Sequence, residues 1–310
     1  MDALLQILVN GISVGAVYAL FALGYTLVFS VLGVINFAHG ALFTLGAYLT
    51  YLGVGGAVGS NGALAGWALP LALPFPLALL LAGVGCALAN LLVEAVAFRP
   101  LRRRGAEPLL YLITSLGAGG VLVNLLQIVF GAEGYALPAD ALGDLPPMLS
   151  LAGARIRSVQ LLLLLVCAVV MAVLTVWLER SRGGRALQAV SEDAVTARLL
   201  GIDSDGMVRL SFALSGLLAG LSGGLVGLSV SIAGPYFGIV YGLKGLGVLV
   251  LGGLGSVPGA LLGGLVVGLA EAAVPSDLSG LKDAVAFAFL FAILLLRPQG
   301  LLGRPPISKV

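Results

Sequence analysis

Seven long apolar runs, residues 4–31, 37–53, 75–97, 109–130, 161–178, 210–232 and 284–296, decide most of what this chain can become. A helix needs about 20 apolar residues to cross the hydrocarbon core of a bilayer, and the runs reach or approach that length. Composition agrees: 60% of residues are hydrophobic and 10% charged, with a mean hydropathy of +1.13, where soluble proteins carry about 25% charged residues. The Gly-rich stretch Gly242–Glu271 is long enough for two passes, and Gly253-Leu254-Gly255-Ser256-Val257-Pro258-Gly259 breaks it in the middle, so it reads as a hairpin. The sequence therefore predicts an all-α, polytopic helical membrane protein of about 8 spans. Short broken or re-entrant helices are expected around Gly242–Glu271, within a single membrane domain over residues 1–310.

Lys and Arg collect in the cytoplasmic loops of membrane proteins. Arg99, Arg102, Arg103 and Arg104 follow the third run, the Arg180–Arg209 loop follows the fifth, and Arg297, Arg304 and Lys309 follow the last. The opposite side receives Asp2, Glu133, Asp140, Asp144, Asp277 and Asp283, with Arg155, Arg157 and Lys282 for balance. Both tallies agree if Gly242–Glu271 crosses an even number of times, which puts the N-terminus outside and the C-terminus in the cytoplasm. No Lys or Arg precedes Arg99, so the first run lacks the basic flank of a secretory signal and reads as an uncleaved span. The outer loop from Gly131 to Ser158, with Pro138, Pro146 and Pro147, reads as a connection.

The loop from Glu179 to Arg209 is the one long charged segment between two strongly apolar runs, a form that membrane proteins present to soluble partners. Arg180, Arg182, Arg185, Arg198 and Arg209 stand beside Glu192, Asp193, Asp203 and Asp205. Ser191 suits an N-cap, Glu192 and Asp193 place acid in a first turn, and Gly201 can end a helix in the left-handed conformation. This predicts a short helix over about Glu192–Leu200, after a turn opening near Arg185. Ala186, Val190, Ala194, Ala197 and Gly201 share a face of small residues. Such a face fits a groove on a partner; packing on the chain's own spans is the alternative.

Inside the runs, Gly11 and Gly15, Gly216 and Gly220, and the ladder Gly255, Gly259, Gly263 have the spacing that lets membrane helices approach closely. His39-Gly40-Ala41-Leu42 follows a break at Val34-Ile35-Asn36, and Pro258-Gly259-Ala260-Leu261 follows its own break. Each reads as a helix N-terminus within the membrane, where the free N–H groups can meet an anion; the echo is only four residues long, and chance or shared packing accounts for it more readily. Asn10, Asn36, His39, Asn90, Glu94, Asn124, Gln127 and Lys244 are polar groups that need partners in lipid. Among them, with the two helix starts, Asn10, Asn36, His39, Gly40, Ser256 and Gly259 are the candidates for a translocation pathway, and helix-to-helix hydrogen bonding is the competing role. Glu94 and Lys244 are expected to reach for water at the edges of the bilayer.

Enzyme chemistry has no foothold in the motifs. The chain has no G-x-x-x-x-G-K-[ST], no H-E-x-x-H and no G-x-S-x-G, and Cys86 and Cys167 lie in apolar runs without metal-ligand spacing. No catalytic residue, cofactor, metal or disulfide is expected, and a net charge of +2 does not suggest nucleic acid.

Several segments together resemble one family. They are Asn10-Gly11-Ile12-Ser13-Val14-Gly15-Ala16-Val17-Tyr18-Ala19-Leu20, Val34-Ile35-Asn36-Phe37-Ala38-His39-Gly40, Pro235-Tyr236-Phe237-Gly238, Leu251–Gly259 and Arg297–Arg304. With the charged loop they are similar to inner-membrane permeases of binding-protein-dependent ABC importers, in the LivH-type form of the branched-chain amino acid group. The resemblance implies two cytosolic ATPase subunits on the loop, with Arg185, Glu192, Asp193, Ala194 and Gly201 in the coupling segment. It also implies a second, related permease and a periplasmic or lipid-anchored solute-binding protein, for which Arg155, Arg157 and Lys282 are candidate docking residues. Glu192-Asp193-Ala194 and Gly201 match the general importer signature loosely and no Ile-x-Leu-Pro follows, a departure the branched-chain group is similar in having. A urea or short-amide importer of the same family, and a gradient-driven carrier or channel, remain the alternatives.

Overall fold

The computed structural model describes residues 2–138, 141–142, 148–151, 154–297 and 299–303. Asp140, Asp144, Pro146, Pro147, Arg304 and Lys309, which entered the charge and loop readings above, lie outside the described residues. The chain opens with α1 (Asp2–Leu32), breaks, and resumes as α2 (His39–Gly53). Next, α3 (Phe75–Val93) passes through a π-helical turn, Glu94–Phe98, into the short α4 (Arg99–Arg103). A proline opens α5 (Pro108–Phe130), at a position where its missing N–H costs nothing.

Strands β1 (Met148–Leu151) and β2 (Ala154–Arg157) pair antiparallel with Met148 opposite Arg157. Then come α6 (Ser158–Arg180), α7 (Arg182–Glu192), α8 (Ala194–Leu199) and α9 (Ser204–Ser229). The chain continues with α10 (Phe237–Gly252), α11 (Val257–Ala272), a 3-10 turn at Ser276–Leu281 and α12 (Lys282–Leu296). The fold is helical as expected, apart from the small hairpin inside the connection that follows α5. Ala154-Arg155-Ile156-Arg157 alternates small or apolar residues with charged ones, the period of a strand.

Among the described residues, five helices are long and apolar enough to cross a membrane, or six if the bent α10–α11 pair is one span. The shorter α2, α10, α11 and α12, of 15 or 16 residues, account for the gap from a count of about eight. The expected hairpin is present: α10 and α11 are bent by 120° across a break of four residues.

The chain clusters into two compact units. A central unit holds Leu27–Pro146 and Val176–Leu243, and a terminal unit holds Met1–Thr26, Pro147–Thr175 and Lys244–Val310. In the central unit α2, α3 and α9 pack on one another through glycine. A Cβ added at Gly220 would stand 2.8 Å from Gly83 Cα, and one at Gly46 would stand 2.5 Å from Gly220 Cα, so backbones touch where any side chain would separate them. This close packing buries most of α2, so the short helix is enclosed by protein; lipid could not satisfy open backbone beside it, but surrounding protein can. A second apolar cluster, Val28, Val34, Val93, Phe98, Tyr111, Val208 and Phe212, packs beside that break, with Phe98 and Phe212 edge to face at 4.9 Å. In the terminal unit α1 meets α11 the same way, since a Cβ at Gly15 would lie 2.7 Å from Gly264 O. The end of α10 also receives the chain's return, with Leu301 N donating to Leu251 O at 2.7 Å and Leu302 N to Gly252 O at 3.0 Å.

Candidate functional site

The charged segment folds into two short helices because two caps and one reversal specify them. Ser181 Oγ accepts from Gly184 N at 2.8 Å to start α7, and a Cβ at Gly184 would lie 2.5 Å from Leu178 Cα, so α7 turns back tightly on the end of α6. Asp193, not Ser191, caps α8. Its Oδ1 accepts from Val195 N at 2.8 Å and Thr196 N at 3.2 Å, while Ser191 Oγ donates back to Gln188 O. The second helix therefore starts at Ala194, two residues after the expected Glu192, and Glu192 ends α7 instead. Gly201 terminates α8 as expected, with φ 84°, Gly201 N donating to Arg198 O and Ile202 N to Ala197 O, the paired bonds of a Schellman motif.

The expected small-residue knob faces the other way. Val190 and Ala197 are buried and Ala186 and Ala194 half-buried, because small side chains let α7 and α8 lie close against their own unit. What projects is apolar and larger: Val195 is 69% exposed, Leu199 83% and Leu200 76%, flanked by exposed Arg185, Glu192, Asp193 and Arg198.

A chain of charges ties this segment to the end of α3. Glu94 is fully buried, and its carboxylate accepts from Arg99 Nη2 at 2.8 Å and Arg102 Nη2 at 3.3 Å. Arg102 also reaches Asp205 at 3.3 Å, and Asp205 meets Arg198 of α8 at 3.6 Å. Glu94 thus does not extend to water, as its place near the run's end suggested: the π-helical turn carries it inward, and the two arginines come to it.

Three of the pathway candidates gather in the central unit. Asn36 Nδ2 donates to Asn90 Oδ1 at 3.2 Å, Asn90 Nδ2 donates to Phe212 O at 2.7 Å, and His39 Nδ1 lies 3.2 Å from Ser215 Oγ. All are buried, and Asn36 Oδ1 also accepts from Ala38 N, which holds the backbone break. Gly40 sits where a Cβ would come within 2.7 Å of Gly238 O. The remaining candidates belong to the terminal unit, where Ser256 and Gly259 meet each other and Asn10 stands apart. Asn10 Oδ1 accepts from Gln6 at 3.1 Å and Gln160 at 2.8 Å, beside the end of α11, whereas Ser256 caps the start of α11 through Gly259 N at 3.1 Å. About 20 Å of helix lies between them.

A family model described as the permease component of branched-chain amino acid transport systems matches residues 7–296. The chain belongs to that family. The LivH high-affinity branched-chain amino acid transport permease protein of Escherichia coli K12 is 37% identical over 308 residues, covering 99% of this chain and 97% of that protein. BraD of Pseudomonas aeruginosa, named as the same kind of permease, is 38% identical over 311 residues, covering 99% and 98%. A probable branched-chain amino acid transport permease, LivH of Methanocaldococcus jannaschii, is 27% identical over 313 residues, covering 96% and 92%. No solved structure gives a significant match.

Within this permease, Arg157 is exposed on β2 and its N–H donates to Gln160 Oε1, Lys282 opens α12 half-buried, and the side chain of Arg155 lies outside the described residues. The sequence reading named Lys244 as needing a partner but missed the group it joins. Lys244, expected to reach for water, is buried and paired with Glu271 at 2.9 Å and Asp283 at 2.7 Å, beside Tyr18. Its sequence signal was a lone lysine in an apolar helix, which demands a partner in lipid.

Proposed function

We propose that this chain is the membrane-spanning permease subunit of a binding-protein-dependent ABC importer that carries leucine-, isoleucine- or valine-type amino acids across the bacterial inner membrane. Similarity to named branched-chain amino acid permeases over 99% of the chain is the observation that carries this reading. On this reading residues 1–310 act as one permease domain without a nucleotide site of their own, the N-terminus lies outside and the C-terminus in the cytoplasm. Two cytosolic ATPase subunits grip α7 and α8 of this chain and of a second, related permease. Leu199, Leu200 and Val195 enter an apolar cleft on the ATPase, and Arg185, Glu192 and Asp193 line its rim. The Glu94–Arg102–Asp205–Arg198 chain supports this role because it links α8 to the end of α3 through successive ion pairs. A solute-binding protein delivers the ligand to the outer face, where Arg157, Arg155 and Lys282 supply positive charge for docking.

The test is uptake of labelled leucine by proteoliposomes holding the assembled complex, with its binding protein outside and ATP inside. Uptake that needs both supports the importer. Uptake that follows an imposed ion gradient without ATP would overturn it.

A further inference from the structure

Lys244, Glu271, Asp283 and Tyr18 form a charged cluster in the terminal unit that the coupling segment does not use. Lys244 Nζ lies 2.9 Å from Glu271 Oε1 and 2.7 Å from Asp283 Oδ1, and donates to the Tyr18 hydroxyl at 3.1 Å. The Tyr18 hydroxyl in turn donates to Glu271 Oε2 at 2.7 Å. An ammonium has three N–H donors and no acceptor, and oxygens from α1, α11 and α12 receive them here. Side-chain exposure rises from 6% at Lys244 through 14% at Glu271 to 56% at Asp283, so the cluster opens on the Asp283 side. Stability alone does not account for such a group, since apolar side chains of similar volume often replace a buried ion pair without loss. Ionisable residues inside membrane helices instead mark solute pathways.

We propose that Glu271, Asp283 and Tyr18 form a primary-ammonium subsite that Lys244 fills in this structure and that the α-ammonium of the transported amino acid takes over, its α-carboxylate pairing with the displaced Lys244. The inference rests on the importer reading above. The site's chemistry is visible in its occupant, because a lysine side chain and an amino acid's α-amino group present the same R–NH3+ donor. A zwitterion brings one charge of each sign, and the exchange leaves the net charge of the buried cluster unchanged, which avoids the large cost of burying an unpaired ion. Asp283, the most exposed, meets the incoming ammonium first, and Glu271 with Tyr18 holds it deeper.

The experiment uses the purified complex with its ATPases. Lys244→Ala empties the subsite, and thermal unfolding of this variant should shift upward with methylammonium and with leucine. Choline, which has no N–H, and 4-methyl-2-oxopentanoate, which has no amino group, should not shift it, and the wild type should not respond to methylammonium. In proteoliposomes, Glu271→Gln should lower leucine uptake about tenfold or more, the loss of one charge-assisted hydrogen bond, while the ATPases stay bound. Equal responses of Lys244→Ala to choline and methylammonium would overturn the subsite, as would wild-type uptake by a Glu271→Gln, Asp283→Asn double variant. If Lys244→Ala does not assemble, that double variant decides alone. Methylammonium rescue together with a wild type that imports no leucine would keep the ammonium subsite and sink the importer reading.

Discussion

A single buried carboxylate shows how this chain handles charge in lipid. Glu94 has no exposed surface, and Arg99 and Arg102 supply its only route to neutrality among the described contacts. Glu94→Gln keeps the shape and removes the charge, leaving Arg102, already carrying an unpaired buried Nη1, without its inner partner. Breaking a buried pair from one side costs about 3–5 kcal/mol, less where the remaining partner can reach water as Arg99 can. Unfolding of the solubilised protein should therefore show a loss of about 1–3 kcal/mol, and an unchanged midpoint would mean that the arginines relax freely. At this scale the sequence told that Glu94 and Lys244 needed partners and not which ones. Arg99 is five residues from Glu94, yet only the π-helical turn aims them together, and Glu271 lies 27 residues from Lys244 on another helix. Local spacing carries no record of such tertiary pairing, so reaching for water was the natural but mistaken expectation.

Helices and their ends were more legible, since caps and breakers act locally. Gly253 to Ser256 broke the chain where expected, and Gly201 stopped α8. Ser191 and Asp193 were both competent caps two residues apart, and a carboxylate able to accept from two backbone N–H groups and the Thr196 hydroxyl outcompeted a serine that bonded back to its own helix. The face of the segment was misread because small residues serve close packing inward as readily as contact outward. This makes a sharp prediction: Leu199→Asp with Leu200→Asp should leave the fold intact, because both side chains project, and should weaken ATPase association about tenfold or more in a pull-down. Retained association would move the docking surface elsewhere. Glycine packing has the opposite signature. Gly220→Val places side-chain carbon against Gly83 Cα and Cys86 Cβ, at 2.8 and 2.9 Å for Cβ alone, and neither helix can yield without parting from α2. A loss of about 1–3 kcal/mol or more follows, read as reduced folded protein in membranes, whereas Leu125→Val on the exposed face of α5 should be silent.

For the whole molecule, the same buried polar groups bear on the source of energy. An ion-coupled carrier needs an intramembrane site that loads and releases a cation, and Glu271 with Asp283 would provide one if it stood empty. Here the chain's own ammonium occupies it, and a bare cation, unlike a zwitterion, brings no carboxylate to pair with the displaced Lys244. The α7–α8 segment, by contrast, presents three large apolar side chains to solvent, which costs free energy unless a partner covers them. The charge on the β-hairpin offers an independent check. Arg155→Glu with Arg157→Glu reverses the sign of one strand of the hairpin and leaves α7 and α8 untouched. If a binding protein docks there, leucine uptake should fall mainly through slower association, and raising the ionic strength should narrow the difference between variant and wild type, because exposed charges are screened beyond about 8 Å at physiological salt. ATPase copurification should not change. A variant that takes up leucine at the wild-type rate at low ionic strength would place the docking surface elsewhere, and a variant that also loses its ATPases would show that the hairpin supports the fold instead.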